Sequence, residues 1–197
     1  MSEQNRDMSY VMNTYAQLPV TFVKGEGVWL WSDRGEKYLD ALSGVAVCGL
    51  GHCHPRLAEA LCKQARTLMH TSNIYFIEKQ EQLAARLTAL SGMEKAFFCN
   101  SGAEANEAAI KLCRKNGHVR GIDHPVIVVM QGSFHGRTLA TLAATGNKKV
   151  AEGFGPPLEG FRHIPYDDVE ALDRLHLEGE QIVAVMLEPV QGEAGVI

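Results

Sequence analysis

The sequence predicts an α/β protein, in which a mostly parallel sheet is flanked by helices and preceded by a small N-terminal α+β segment. From residue 94 onward, short apolar runs alternate with helical patterns, and the runs read KAFFC, VIVVM and IVAVML. This alternation is typical of parallel strands joined by helices. Before it, residues 22–47 alternate apolar with polar side chains around turn signals, which indicates a small antiparallel unit.

Helical patterns fill the intervals between these runs. Pro55 suits the first position of a helix, and leucines follow it at helical spacing. A second helix is predicted over about 78–90, with Gly92 at its end. Further helices are predicted over 102–116, over about 136–144 and over about 167–178.

The composition excludes several classes of function. The chain has 197 residues, of which 46% are hydrophobic and 21% charged, as in ordinary globular proteins. A net charge of −4 gives no reason to expect a nucleic-acid or membrane partner. The apolar runs are too short to span a bilayer, and the polar N-terminus does not resemble a signal peptide. The five cysteines contain no CxxC pair, which favours reduced thiols in a cytoplasmic protein.

The crowded stretch CGLGHCHP raises the question of a metal site. It contains Cys48, His52, Cys53 and His54, but no second cluster lies at zinc-finger spacing. A glycine-rich turn leading into the Pro55 helix is the favoured interpretation, and no metal is predicted.

Three polar segments follow the three apolar runs directly. They read NSG at 100–102, QGSFH at 131–135 and EPVQGE at 188–193. In an open parallel sheet, ligands bind beyond the carboxyl ends of the strands. The three segments are therefore expected to meet at one edge of the sheet and to form a site there.

The stretch NSGAEANEAAIK has two interpretations. In the first, Ser101 caps a helix and Glu104, three residues later, folds back as in a capping box. In the second, Gly102 leaves the first N–H groups of the helix bare, so that a phosphate can bind them. The motif alone leaves both interpretations open.

The other two segments offer groups for binding and acid–base chemistry. Phe134 and His135 could stack on a planar ring, and Arg137 could bind a carboxylate through two parallel hydrogen bonds. A surface loop with Phe134 in the core is the alternative. Glu188 follows an apolar strand and needs a partner if it is buried. Glu193 follows a glycine and could face a cleft as a general base.

Taken in order, these motifs resemble those of the fold-type I, class III aminotransferases, which use pyridoxal phosphate. The resemblance runs from Tyr15 and LPVTFVKGEGVWLWSDRGEKYLD through GHCHP, NSGAEANEAAIK and GSFHGRT to EPVQGEAGV. It implies the pyridoxal-phosphate-dependent transferase fold. It also implies transfer of an ω-amino group, as on N-acetylornithine or ornithine, to a 2-oxo acid such as 2-oxoglutarate.

The resemblance implies a role for each cofactor-site residue. Gly102 and Ala103 are expected to donate backbone N–H groups to the cofactor phosphate, with the Ser101 hydroxyl beside them. Phe134 is expected to stack on the pyridine ring, and His135 to lie next to it.

Substrate contacts are implied in the same way. Arg137 is expected to bind the α-carboxylate of the donor, and Glu193 to gate the dicarboxylate co-substrate by pairing with a later arginine. Glu188 would support that network, and Tyr15 would contact substrate. The stretch HTSNIYF, residues 70–76, falls where the family forms its homodimer interface.

The resemblance also implies what the 197 residues lack. Residues 1–50 correspond to part of a small domain, and 51–197 to the first, incomplete part of the large cofactor-binding domain. None of the nine lysines matches the position of the lysine that forms the Schiff base, and this lysine is expected beyond Ile197 or absent. No catalytic residue is therefore assigned, and this stretch alone is expected to be inactive. The alternatives are a non-catalytic binding or dimerisation module and a 4-aminobutyrate-type aminotransferase. A nicotinamide-dependent oxidoreductase is disfavoured because no GxGxxG follows a strand.

Overall fold

The computed structural model describes residues 10–197. Its contacts divide the chain into two compact units, with the division between Glu81 and Gln82. This division lies later in the chain than the predicted boundary after residue 50. The assignment of residues 1–50 and 51–197 to a small and a large domain stays a prediction. No helix among the described residues is both long and apolar enough to cross a bilayer.

The first unit begins with the predicted antiparallel sheet. Its strands are β1 (Phe22–Glu26), β2 (Trp29–Ser32) and β3 (Lys37–Leu39), and they pair in the order β1-β2-β3. Both pairings are antiparallel, as the alternating pattern predicts. Helix α2 (Pro55–Thr67) then begins at the proline, and α3 (Glu78–Ser91) runs across the division into the second unit.

Asp40 organises the segment that joins the sheet to α2. One carboxylate oxygen accepts hydrogen bonds from the backbone N–H groups of Leu42 and Ser43, which lead into the short turn α1 (Ser43–Ala46). The other oxygen lies 2.7 Å from Nε2 of His52. The histidine that might have suggested a metal ligand is thus paired with a carboxylate, and the described residues contain no cluster suited to a metal ion.

The second unit carries the parallel sheet. Its strands are β4 (Val126–Met130), β5 (Phe161–Ile164) and β6 (Ile182–Met186), in the order β5-β4-β6, and both pairings are parallel. Its helices are α4 (Gly102–Val119), α5 (Leu139–Ala144), α6 (Lys148–Ala151) and α7 (Val169–Leu177).

The central strand β4 builds the core because all five of its residues are buried. Successive side chains of a strand point to opposite faces. On one face, Ile127 and Val129 pack in a cluster that includes Ile110 of α4 and Phe161 of β5. On the other face, Val128 belongs to a cluster that includes Ala171 of α7. The sheet therefore has helices on both faces.

Two sequence-based expectations need correction, and one strand is not predicted by the sequence. KAFFC (95–99) forms no strand, because it pairs with no strand among the described residues; its Phe97 is 70% exposed. The helix expected from 136 begins only at Leu139, because Gly136 has φ of 135° and Thr138 caps the helix. Strand β5 was not predicted, because FRHI interrupts its apolar pattern with two polar residues.

Candidate cofactor site

The start of α4 is capped by its own side chains. Ser101 is the N-cap residue, and its Oγ accepts a 3.2 Å hydrogen bond from the backbone N–H of Glu104. The Glu104 carboxylate folds back and accepts hydrogen bonds from the side-chain amide and the backbone N–H of Asn100. These bonds from Asn100 hold the pKa of Glu104 below its ordinary value. The capping interpretation is therefore correct as far as Ser101 and Glu104 are concerned.

Capping leaves two amides at this helix start unused. Among residues 10–197, no protein acceptor is found for the N–H groups of Gly102 and Ala103. A methyl group placed on Gly102 would meet no atom within 4 Å, so the space beside it is open. The N-terminus of a helix carries partial positive charge and favours anions. Capping and anion binding are thus compatible, because they use different N–H groups.

The loop that follows β4 passes against the start of α4. Gly136 adopts φ of 135°, a conformation that favours glycine. A methyl group on Gly136 would lie 2.6 Å from Thr141 Oγ1 and 3.1 Å from Cβ of Ala103. This close approach brings the 132–138 loop beside the bare amides of α4.

Three side chains hold the backbone of Phe134 and His135. The N–H of Phe134 donates to Glu188 Oε1 at 2.8 Å, and the N–H of His135 donates to Thr145 Oγ1 at 3.0 Å. The carbonyl of His135 accepts a hydrogen bond from Asn106 Nδ2 at 2.7 Å. The loop is therefore fixed by residues from α4, from the end of α5 and from the segment after β6.

Glu188 is half-buried and satisfied by main-chain donors. Its second carboxylate oxygen accepts a 3.2 Å hydrogen bond from the N–H of Gly192. The Tyr166 hydroxyl donates to the backbone carbonyls of Glu188 and Pro189 at 3.2 and 2.9 Å. The expectation that a partly buried Glu188 needs partners is confirmed, and these partners are backbone N–H groups.

The side chains of Phe134 and Arg137 lie close to each other. The guanidinium carbon of Arg137 is 5.6 Å from the centre of the Phe134 ring, within the range of a cation–π contact. Phe134 also lines a cavity of about 480 Å³ together with His135, Glu188 and apolar residues of α4 and β6. Arg137 is exposed to solvent.

His135 is held in a neutral state by its surroundings. Only 5% of the residue is exposed, and its buried Nε2 has no hydrogen-bond partner among residues 10–197. Burial lowers the pKa of His135; the Glu188 carboxylate opposes this shift, and His163 acts in the same direction as burial whenever it is protonated. A buried polar atom without a partner is costly, so Nε2 is a candidate for contact with a bound molecule.

The other two predicted substrate residues, Glu193 and Tyr15, are both exposed. Glu193 is exposed and lines a different cavity, of about 360 Å³, with Lys148 and Lys149. Tyr15 belongs to the first unit and is 62% exposed. The roles expected for these two residues stay predictions.

Three further residues shape the site, and no sequence motif assigned them a role. Asn106 and Thr145 hold the backbone of His135, as described above. Gln191 is 1% exposed, and its Nε2 donates a 2.9 Å hydrogen bond to the carbonyl of Gln131. Gln191 could have been noticed, because its polar amide lies inside the EPVQGE motif.

Comparison with known families places this geometry in context. The model of the family "Aminotransferase class-III" matches residues 10–197. The chain belongs to the class-III aminotransferases. This membership confirms the predicted family, whose cofactor is pyridoxal phosphate. The cofactor fits the residues present, since bare amides face open space beside a fixed aromatic ring and a neutral histidine.

Individual relatives of this class-III chain agree in fold and sequence. It is 67% identical over 189 residues to the acetylornithine aminotransferase of Nitrosomonas europaea, covering 96% of this chain and 48% of that protein. It is 51% identical to the acetylornithine aminotransferase of Thermosynechococcus vestitus, covering 94% and 46%. The chain thus spans about half the length of the curated relatives that it matches.

Solved structures confirm the predicted transferase fold. An ornithine aminotransferase from Toxoplasma gondii superposes with a TM-score of 0.90 at 34% identity, covering 98% of this chain and 46% of that one. An N-acetylornithine aminotransferase from Stenotrophomonas maltophilia gives a TM-score of 0.76 at 39% identity, covering 92% and 44%. A second Toxoplasma ornithine aminotransferase structure has pyridoxal phosphate at partial occupancy in its active site.

Proposed function

We propose that the intact protein is a cytoplasmic aminotransferase of arginine biosynthesis. It would transfer the ω-amino group of N-acetylornithine to 2-oxoglutarate with pyridoxal phosphate. The main support for this proposal is the position of the Phe134–Arg137 loop. Hydrogen bonds hold this loop beside the N–H groups of Gly102 and Ala103, which are unpaired within residues 10–197. The identity to acetylornithine aminotransferases supports the choice of donor.

The cofactor would be held at both of its ends. The amides of Gly102 and Ala103 would donate to the phosphate, and the Ser101 hydroxyl could join them, because its oxygen accepts from Glu104 while its proton is free to donate. The Phe134 ring would stack on the pyridine. When bound, pyridoxal phosphate withdraws electrons from the amino-bearing carbon and so stabilises the carbanion left after proton loss.

The donor substrate would be oriented by Arg137. Its planar guanidinium can hold a carboxylate with two parallel hydrogen bonds, which a point charge cannot do. With the α-carboxylate fixed there, the ω-amino group extends towards the reacting end of the cofactor. Glu193 and Tyr15 are proposed to contact substrate in the complete enzyme. Glu188 supports the site through the backbone of Phe134.

Two further features of the proposal lie outside the described geometry. The lysine that anchors the cofactor and the acidic residue at its pyridine nitrogen are proposed to lie beyond Ile197. A homodimer is proposed as the active assembly, with residues 70–76 at its interface, because the family forms its dimer there.

The proposal is tested by assaying glutamate formation by the gene product in its longest expressed form. The assay contains pyridoxal phosphate, 2-oxoglutarate and one of four donors: N-acetylornithine, ornithine, succinylornithine or 4-aminobutyrate. We expect the highest kcat/KM with N-acetylornithine. Cofactor binding without glutamate formation from any donor would reject the transaminase proposal, and a preference for 4-aminobutyrate would reject the assigned donor.

A further inference from the structure

The side chain of Asn106 connects the two halves of the candidate cofactor site. Asn106 belongs to α4, the helix whose first amides, at Gly102 and Ala103, form the proposed phosphate site. Its Nδ2 donates a 2.7 Å hydrogen bond to the carbonyl of His135, which lies 29 residues further along the chain. His135 follows Phe134, the proposed ring contact. The bond therefore joins the element that would hold the phosphate to the loop that would hold the ring.

The position of Asn106 on the helix explains how it reaches the loop. Residues four apart lie on the same face of an α-helix, and helical side chains lean towards the N-terminus. Asn106 follows Gly102 by four residues, so its amide extends towards the start of α4. The close approach of Gly136 to Ala103 shows that the loop passes the same end of the helix.

A simpler role for Asn106 would be to satisfy a carbonyl that the fold buries. That role accounts for the hydrogen bond, since buried carbonyls are nearly always paired. A purely structural hydrogen bond to this carbonyl could come from any neighbouring element, and not specifically from α4, whose first N–H groups are unpaired among the described residues. The phosphate and the ring of one ligand are covalently joined, so a protein that binds both must keep its two contact regions at a fixed separation. Fixing that separation before binding reduces the cost of ordering the site.

We propose that Asn106 is a positioning residue that fixes the Phe134–His135 loop relative to the phosphate-binding amides of α4. The inference rests on the proposed function. In this account, Asn106 contributes to binding of the whole cofactor and little to binding of phosphate alone. A purely structural residue would affect both ligands equally, or neither.

The test compares two ligands on matched variants. Asn106→Leu removes the donor at nearly constant size, and Asn106→Ala removes it with less strain should the leucine variant fail to fold. Asn116→Leu and Asn116→Ala are the controls, because Asn116 is an exposed asparagine on the same helix. Dissociation constants are measured by titration calorimetry with pyridoxal phosphate and separately with inorganic phosphate.

We expect the Asn106 variants to bind pyridoxal phosphate at least about tenfold more weakly, equivalent to about 1.4 kcal/mol. Their affinity for inorganic phosphate should stay within about twofold of the unmodified protein, as should both affinities of the Asn116 variants. Unchanged pyridoxal phosphate affinity in a folded Asn106 variant would overturn the inference but leave the proposed function intact. An equal loss for both ligands would also overturn it. Failure of the unmodified protein to bind pyridoxal phosphate would overturn the proposed function and this inference together.

Discussion

The backbone N–H of Phe134 donates a 2.8 Å hydrogen bond to the carboxylate of Glu188, a residue 54 positions later in the chain. The other oxygen of the same carboxylate accepts from the N–H of Gly192. One side chain thus ties the segment after β4 to the segment after β6. Because β4 and β6 are parallel neighbours, both segments leave the sheet at the same edge.

Replacing Glu188 by glutamine should destabilise the fold. Glutamine keeps one acceptor oxygen but turns an amide NH₂ towards a backbone N–H, so one donor loses its partner. Loss of a partly buried hydrogen bond of this kind costs about 1–3 kcal/mol. Urea unfolding should show a lower midpoint at unchanged slope. The control Glu152→Gln makes the same chemical change at an exposed residue and should leave the midpoint in place. Equal midpoints for both variants would contradict a stabilising role for the Glu188 hydrogen bonds that join these two segments.

Gly102 separates the anion-binding role of the helix start from its capping role. Its backbone does not need glycine, and a methyl group there would meet no atom of residues 10–197 within 4 Å, apart from its chain neighbours and the backbone of its own helix. Gly102→Ala should therefore keep the stability or raise it by up to about 1 kcal/mol. Gly102→Val should weaken phosphate binding by about tenfold, because its branched side chain would occupy the space beside the amides. Phosphate affinity that is insensitive to valine here would mean that the anion binds elsewhere.

Ser101 should respond differently to two substitutions. Ser101→Ala removes the acceptor for the Glu104 N–H and should lower the free energy of unfolding by about 1 kcal/mol. Ser101→Asp retains a capping oxygen and should preserve stability, but its negative charge should repel phosphate. Thermal unfolding and phosphate titration on the two variants measure these effects. Tighter phosphate binding by the aspartate variant would be inconsistent with a phosphate at this helix start.

The buried imidazole of His135 should make stability depend on pH. Burial lowers its pKa below the ordinary value of 6.5, so the unfolded chain binds a proton more readily than the folded one. Its contribution is complete above pH 6.5 and is lost as the pH falls towards the depressed folded pKa. Stability should thus decrease between pH 7.5 and 5.5, and the decrease should be smaller in His135→Gln. Burial also lowers the pKa of His163, which therefore contributes a pH dependence of the same sign. The His135→Gln variant retains His163, so the difference between the two proteins reports the contribution of His135 alone. If stability fell with decreasing pH to the same extent in both proteins, His135 would be excluded as a source of the pH dependence.

Arg137 should determine recognition of the donor carboxylate in the active enzyme. Arg137→Lys keeps the positive charge but loses the planar pair of donors. We expect KM for N-acetylornithine to rise about tenfold or more, with a smaller effect on an ω-amine that lacks the α-carboxylate. Steady-state kinetics with both donors provides the comparison. A similar rise in KM for both donors would show that Arg137 does not bind the α-carboxylate.

Sequence patterns predicted the elements whose signals are local. The buried run of β4, the proline that opens α2 and the cap at Ser101 each depend on a few neighbouring residues. KAFFC was misassigned because strand formation depends on a pairing partner, which local composition does not reveal. Strand β5 is not predicted for a different reason: Phe161 and Ile164 are buried, but the two residues between them are polar and interrupt the apolar pattern.

The candidate site was predictable to a similar degree. The carboxyl ends of parallel strands share an edge, so the meeting of Phe134 with Glu188 follows from strand order. The parts played by Asn106 and Thr145 could not be deduced, because each bonds to a main-chain atom whose position is set by tertiary packing. That Glu188 needs partners could be predicted from its place after an apolar strand, but not that these partners are the backbone N–H groups of Phe134 and Gly192.

The most direct test of the account follows the amide resonances of Gly102 and Ala103 by ¹H–¹⁵N NMR during titration with pyridoxal phosphate and, separately, with inorganic phosphate. The amides at the start of α7 serve as the internal control, since they also open a helix. Both ligands should shift the Gly102 and Ala103 resonances and leave those of α7 in place. Resonances of Gly102 and Ala103 that do not move while pyridoxal phosphate binds would contradict the claim that these bare amides hold its phosphate.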